Sequence, residues 1–235
     1  MIKLGIIGAM NVEVEILKHK MVDMVPQQRG KVVYCQGKLA GLDVVIAQCG
    51  VGKVHAAMCA QTMCDRYGVT HLVNTGIAGS LDAALDIGDV VVSRDVMYHD
   101  FDCHFVNYPI GQVPGQDVLA FPADEALIRL AFAASETVRP GHTKMGRVAS
   151  GDQFVASGEQ KEHIISVTGA CCTEMEGAAI AQTAYSNGVP FVILRAISDK
   201  ADHSAQMDYP AFEKMAAEHC AAVTELLAER LAQSE

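Results

Sequence analysis

Basic residues are scarce: 18 lysines and arginines stand against 28 aspartates and glutamates, a formal net charge of −10. A nucleic-acid backbone or an anionic membrane surface is repelled by such a chain, and no local basic cluster offsets the field. Small neutral or cationic ligands suit it better. Long apolar runs are also missing; none approaches the roughly 20 residues needed to cross a bilayer, so no membrane partner is expected. The eight cysteines include no C-x-x-C pair and lie in apolar contexts. That argues against a disulfide framework or a zinc site and for reduced residues of the core. The opening residues 1–5 run straight into a strand pattern without the basic stretch and apolar region of a secretory signal, and a cytoplasmic location is the expectation.

Familiar catalytic signatures are lacking as well. There is no Ser/His/Asp spacing, no nucleophile elbow and no metal triad. Gly5 and Gly8 make only half of a dinucleotide fingerprint, and residues 50–53 lack the spacing and the Gly-Lys-Ser/Thr ending of a P-loop. Neither a cofactor nor a metal is expected. Internal repeats and low-complexity stretches are absent too.

What is present is a rhythm of strands and helices. Apolar strand patterns at 2–8, 32–37, 42–48, 71–76, 90–96, 145–150 and 191–197 are interleaved with helical patterns at about 11–21, 54–67, 124–137, 157–167, 177–185 and 210–231. Residues 39–41 read as a hairpin and 74–80 as a glycine-rich turn at a strand end. The pattern predicts one α/β domain over residues 1–235: a three-layer α/β/α arrangement with a central mixed, mostly parallel twisted sheet flanked by helices. Residues 98–115 break the rhythm with aromatics between polar residues and with Pro109, Gly111, Pro114 and Gly115. A loop of this kind is usually functional, or it meets a partner subunit. His99, Asp100, Asp102 and His104 admit a metal reading, but their spacing fits no standard zinc pattern.

The chain is organised around residues 171–199, a strand, helix and strand with carboxylates at both junctions. In α/β sheets, ligands collect at the C-terminal ends of the strands, which is where Glu176 and Asp199 fall. Glu13 stands near the first helix start, where a carboxylate either serves chemistry or simply favours the helix dipole. Phe154 offers a flat face for stacking on a planar ring or for core packing. Three acids at strand ends and helix starts point to acid and base work by carboxylates. Glycosyl transfer fits best, because its oxocarbenium-like transition state needs a base for water and an acid for the leaving group.

The segments IIGAMNVEVE, VGKVHAA, NTGIAG, YHDFD with GQVPG, SGDQF, TEMEGAAIA and LRAISDKAD lie in this order along nearly the whole chain. In order and spacing they resemble the 5'-methylthioadenosine/S-adenosylhomocysteine nucleosidases of the purine nucleoside phosphorylase family. The resemblance implies hydrolysis of the N-glycosidic bond of 5'-methylthioadenosine, S-adenosylhomocysteine and 5'-deoxyadenosine, in methionine salvage, with water and a nucleoside as the only small-molecule partners. It casts Asp199 as the general acid at adenine N7, oriented by Ser198, and Glu13 as the base for water, with Arg195 fixing that carboxylate or the water. It places Glu176 on the ribose hydroxyls and Met175 against the sugar. Phe154 would stack on adenine, the Val155 backbone would read its edge, and Met10, Val51 and Tyr209 would line the ribose and thioether side. A homodimer is implied, with Cys103, Val106, Tyr108 and Pro114 closing the neighbour's pocket. Ile77 stands where these nucleosidases commonly carry a water-positioning serine, a role for which Asn74 is the substitute at hand. Rival readings are a hydrolase of the same fold acting on a futalosine- or inosine-type nucleoside, a phosphorylase, and a nucleoside-binding protein without catalysis. An ionised Asp199 would face a 6-oxo oxygen unfavourably, which argues against 6-oxo purines.

Overall fold

The computed structural model describes residues 1–234. Its elements follow in this order: β1 (Lys3–Gly8), α1 (Asn11–His19), β2 (Val22–Arg29), β3 (Val32–Leu39), β4 (Leu42–Gln48), α2 (Lys53–Tyr67), β5 (His71–Ser80), β6 (Val90–Tyr98), β7 (Phe121–Pro122), α3 (Glu125–Val138), β8 (Thr143–Ser150), α4 (Gly158–Thr168), β9 (Cys172–Glu174), α5 (Gly177–Asn187), β10 (Phe191–Asp199) and α6 (Ala205–Ala232).

Successive residues of a strand point to opposite faces, and the buried ones sort accordingly. Along β4, Val44 and Ile46 join a core with α1, α3 and α6, while Val45 and Ala47 join a second core with α2 and α5. Both faces of the sheet are therefore covered, which is why β1, β4 and β10 read as unbroken apolar runs and not as alternating ones. Small residues set the depth of the α2 and α5 layer. Ala56 and Ala60 of α2 and Ala178, Ala181 and Ala184 of α5 are wholly buried against one another and the sheet. Helix starts follow the sequence: the Asp124 carboxylate accepts from the Leu127 N–H at 2.9 Å to begin α3, and Ser157 caps α4 through the Gln160 N–H.

The sheet is mixed. β1 runs parallel to β4 and β5, and β5 runs parallel to β10, whereas β2, β3 and β4 form an antiparallel meander. The strands do not form a simple open sheet. β5 pairs with β10, β10 with β6, β6 with β8, β8 with β9, and β9 again with β5, so half of the sheet closes on itself. This closure depends on β5, which changes partner along its length. Its residues 71–74 pair with β1 and residues 79–80 with β9, while β10 follows the opposite edge from Leu72 to Gly79. Between Asn74 and Gly79 one edge of β5 carries no strand. A crevice opens there, at the point where the strand order switches.

Three boundaries depart from the sequence reading. β2 was not expected; its eight residues are all exposed, so it has no buried face to betray it. β5 continues through 74–80, where the glycines suggest a turn, because β10 pairs alongside it. α6 begins five residues before Pro210, not at it. Proline is favoured at a first helical position, and here it lies inside the second turn.

Candidate active site

The crevice at the β5 edge continues into a cavity of about 100 Å³. Its floor is built from the first turn of α1. Glu13 is the third residue of that helix, and its Oε2 reaches back to the N–H groups of Ala9 and Met10 at 2.7 and 2.9 Å. Oε1 accepts from the Ile77 N–H at 3.1 Å. That donor is free only because the edge of β5 facing Glu13 carries no strand between Asn74 and Gly79. Three backbone N–H groups thus hold one buried carboxylate. Burial raises the Glu13 pKa above its ordinary value, against the opposing pull of Arg195 and these N–H groups.

A second carboxylate comes from the start of α5. Glu176 accepts from the Gly52 N–H at 2.8 Å across the cavity. Gly52 has φ of 96°, a conformation that a side chain would strain, and this lets the turn before α2 present its N–H to Glu176. Burial first, and then the like charge of Glu174, push Glu176 up to about 7.

The third acid ends β10. Asp199 is buried, with its Oδ2 accepting from the Ser198 hydroxyl and its Oδ1 from the Ala201 N–H, both at 2.8 Å. Burial lifts its pKa above the ordinary value, and the two donors only partly oppose that shift. Gly79 leaves room for this carboxylate: a Cβ there would stand 2.8 Å from Asp199 Oδ1.

Around these acids the cavity is apolar. Met10, Val51, Phe154, Val155, Met175 and Tyr209 line it together with Ser198, and Phe154 meets Tyr209 edge to face at 5.5 Å between ring centres. Arg195 is placed differently from the expectation that it steadies Glu13. It lies beneath the cavity, fully buried, where it donates to Glu174 and to the Asn74 side-chain oxygen, and its Nη2 stands 3.9 Å from Glu176. Burial alone would lower its pKa, but Glu174, Glu176 and Glu13 outweigh that and hold the guanidinium charged. It therefore acts on Glu13 through its field and not through a hydrogen bond. Asn74 lies off the cavity wall: its amide donates to the Ile7 carbonyl at 2.8 Å and its oxygen accepts from Arg195. Ile77 turns its backbone N–H towards Glu13.

Cys103, Val106, Tyr108 and Pro114 lie outside this chain's own cavity, on the irregular segment with its short turn at His104–Val106. Of the residues in the metal reading, Asp102 pairs with His104 at 2.5 Å and Asp100 pairs with Lys53 at 2.7 Å. Among the described residues, no group of three or more His, Cys, Asp or Glu could hold a metal ion.

The sequence pattern of the Phosphorylase superfamily matches residues 3–229. The chain belongs to the phosphorylase superfamily. Among its superfamily relatives, a 5'-methylthioadenosine/S-adenosylhomocysteine nucleosidase of Staphylococcus aureus (strain MRSA252) is 40% identical over 231 residues, 97% of this chain and 100% of the relative. A nucleosidase of the same description from Neisseria meningitidis, crystallised with methylthio-immucillin-A, superposes with a TM-score of 0.95 at 35% identity. The match covers 98% of this chain and 100% of that one. A futalosine hydrolase of Helicobacter pylori strain 26695 superposes with a TM-score of 0.92 at 34% identity, covering 97% and 98%.

One residue of this superfamily site escaped the sequence reading. Glu174 accepts from Arg195, from the Ser150 hydroxyl and from the N–H groups of Glu176 and Gly177, filling the first turn of α5. The signal was available: Glu174 is a second carboxylate at the same strand end, two residues before Glu176.

Proposed function

We propose that the chain hydrolyses the N-glycosidic bond of 5'-methylthioadenosine, S-adenosylhomocysteine and 5'-deoxyadenosine, releasing adenine and the 5-substituted ribose. The observation that carries this reading is the convergence of Glu13, Glu176 and Asp199 on one mostly apolar cavity, each from a different element. An acid with a raised pKa, a second carboxylate among backbone donors and a third on the sugar side are the parts that an oxocarbenium-like reaction needs.

In this reading burial disfavours the charge of Asp199 and raises its pKa, which favours its role in delivering a proton to adenine N7. Glu13 takes the proton of the attacking water, and its three backbone donors fix the direction from which the water comes. Glu176 accepts from the ribose hydroxyls, and positive charge growing at the anomeric carbon favours its ionised form. Phe154 stacks on the base, the Val155 backbone reads its edge, and Met10, Val51, Met175 and Tyr209 enclose the ribose and thioether. The same arrangement disfavours phosphorolysis. The N–H groups that would cradle a phosphate are already occupied by Glu13, and a dianion would meet that carboxylate at close range.

Three finer points belong to the proposal. The protein works as a homodimer in which Cys103, Val106, Tyr108 and Pro114 close the neighbour's thioether pocket. It acts in the cytoplasm, and its reaction serves methionine salvage. No helix among the described residues is long and apolar enough to cross a membrane, in keeping with that location.

The test is release of adenine from 5'-methylthioadenosine in phosphate-free buffer, followed by chromatography of base and sugar. Free adenine and methylthioribose are expected, with little methylthioribose 1-phosphate when phosphate is added; a strict phosphate requirement would reject hydrolysis. The Helicobacter pylori futalosine hydrolase supports a second reading, because a protein with nearly the same backbone carries that description. Futalosine and inosine in the same substrate panel separate the two: turnover of a 6-oxo nucleoside above that of 5'-methylthioadenosine would favour the second.

A further inference from the structure

Outside the three acids lies an ionic cluster that the proposed chemistry does not use. Asp100 Oδ2, at the start of the irregular segment, receives the Lys53 ammonium at 2.7 Å and the Asp152 N–H at 2.9 Å. The Lys53 N–H donates in turn to Asp152 Oδ1 at 2.9 Å, and the ammonium stands 3.6 Å from Asp152 Oδ2 and 5.4 Å from the centre of the Tyr98 ring. Lys53 and Asp100 keep only 23% and 17% of their side-chain surface exposed, so the pair is shielded from the screening that weakens surface ion pairs.

Each end of this cluster is joined to a different wall of the cavity. Lys53 follows Gly52, whose N–H holds Glu176. Asp152 lies two and three residues before Phe154 and Val155. We infer that Asp100, Lys53 and Asp152 form a clamp that fixes the spacing between the ribose carboxylate and the adenine wall, making Asp100 and Lys53 positioning residues. The inference rests on the nucleosidase reading. A nucleoside touches both walls at once, so walls held at the right spacing before binding remove an ordering cost from the complex. The proton donor Asp199 and the base Glu13 stand on β10 and α1, which the clamp does not touch. Its loss therefore weakens binding more than it slows the chemical step.

The experiment compares Lys53→Met, Asp100→Asn, the double variant and Lys53→Arg with the wild-type protein. It measures KM and kcat for 5'-methylthioadenosine, adenine affinity by calorimetry, and the melting temperature. Each single variant is expected to raise KM and the adenine Kd about tenfold, the scale of one charge-assisted bond, with kcat changed by no more than about threefold. The double variant should be no worse than either single one, because both remove the same contact, and Lys53→Arg should recover most of the loss. Unchanged KM and adenine Kd in both single variants, with or without a lower melting temperature, overturns the clamp, as does a double variant with multiplied effects. A wild-type protein that neither releases nor binds adenine removes the nucleosidase reading and the clamp with it. One that turns over 5'-methylthioadenosine while the variants behave like it removes the clamp alone.

Discussion

Glu176 shows how a carboxylate buried in the candidate site weakens the fold that holds it. Its pKa rises from an ordinary 4.5 to about 7 in the folded protein. Between those values the folded chain keeps a proton that the unfolded chain has released, so stability falls as pH rises through this window. The loss is complete above about pH 7 and absent below about 4.5. Glu176→Gln cannot ionise and still accepts from Gly52. The variant is expected to be more stable than wild type at pH 8, by roughly 1–3 kcal/mol, with the two melting curves converging at pH 5. A glutamine variant that melts no higher at pH 8 would overturn the assignment of this shift to burial and Glu174. In the proposed reaction the demand on Asp199 is catalytic. Asp199→Asn is expected to lower adenine release by about 10²–10⁴-fold while nucleoside binding by calorimetry is largely kept, because an amide has no proton to give N7. At this scale much of the site was legible: strand ends and helix starts are visible as pattern, and they direct Glu13, Glu176 and Asp199 towards one end of the sheet. Arg195 and Asn74 were harder. Nothing in their spacing tells that Glu174 would take the guanidinium or that the Ile7 carbonyl would take the amide.

At the scale of elements, the interrupted edge of β5 decides where chemistry is possible. The gap exposes the Ile77 N–H to Glu13, and Gly76 makes room beside it. A Cβ on Gly76 would lie 2.5 Å from Glu13 Oε1 and 3.0 Å from Arg195 Nη1. Glu13 is held by three donors and cannot retreat without giving some of them up. Gly76→Ala is therefore expected to cost about 10²-fold in kcat/KM, the scale of an ångström-sized misplacement, in a protein that still folds by circular dichroism. Wild-type turnover would show that the Glu13 position is not critical. The helices could be read because burial of one face imposes a period on them, and the inner strands because burial on both faces leaves apolar runs. β2 could not, since VDMVPQQR has no buried face and contains a proline; it is held by its backbone ladder to β3. The strand that opens residues 171–199 was read, but not the closure of the sheet through its pairing with β5, which involves only two residue pairs and leaves no trace in the sequence.

At the scale of the whole molecule, apolar side chains remain in solvent on the turn before α2, on α2 itself and on the irregular segment. Val51, Val54, Met58, Phe105 and Val106 are all exposed, and so is Phe154 at the cavity wall. Such residues are what the proposed dimer would cover. Val106→Asp is expected to give a monomer by light scattering and to raise KM for 5'-methylthioadenosine about tenfold or more, as loss of an interface anchor does. A dimer with unchanged KM would free this segment of its role. The far end of the sheet bears on a different kind of association. β2 leaves its outer edge open, but its register with β3 shifts between Val22 and Val25, Asp23 takes φ of 54°, and Pro26 brings no N–H. A stray strand from another molecule would find a bent, gapped template there in place of a continuous row of donors and acceptors. The molecule can thus be crowded in a cell without its ten-stranded sheet seeding fibrils from that end.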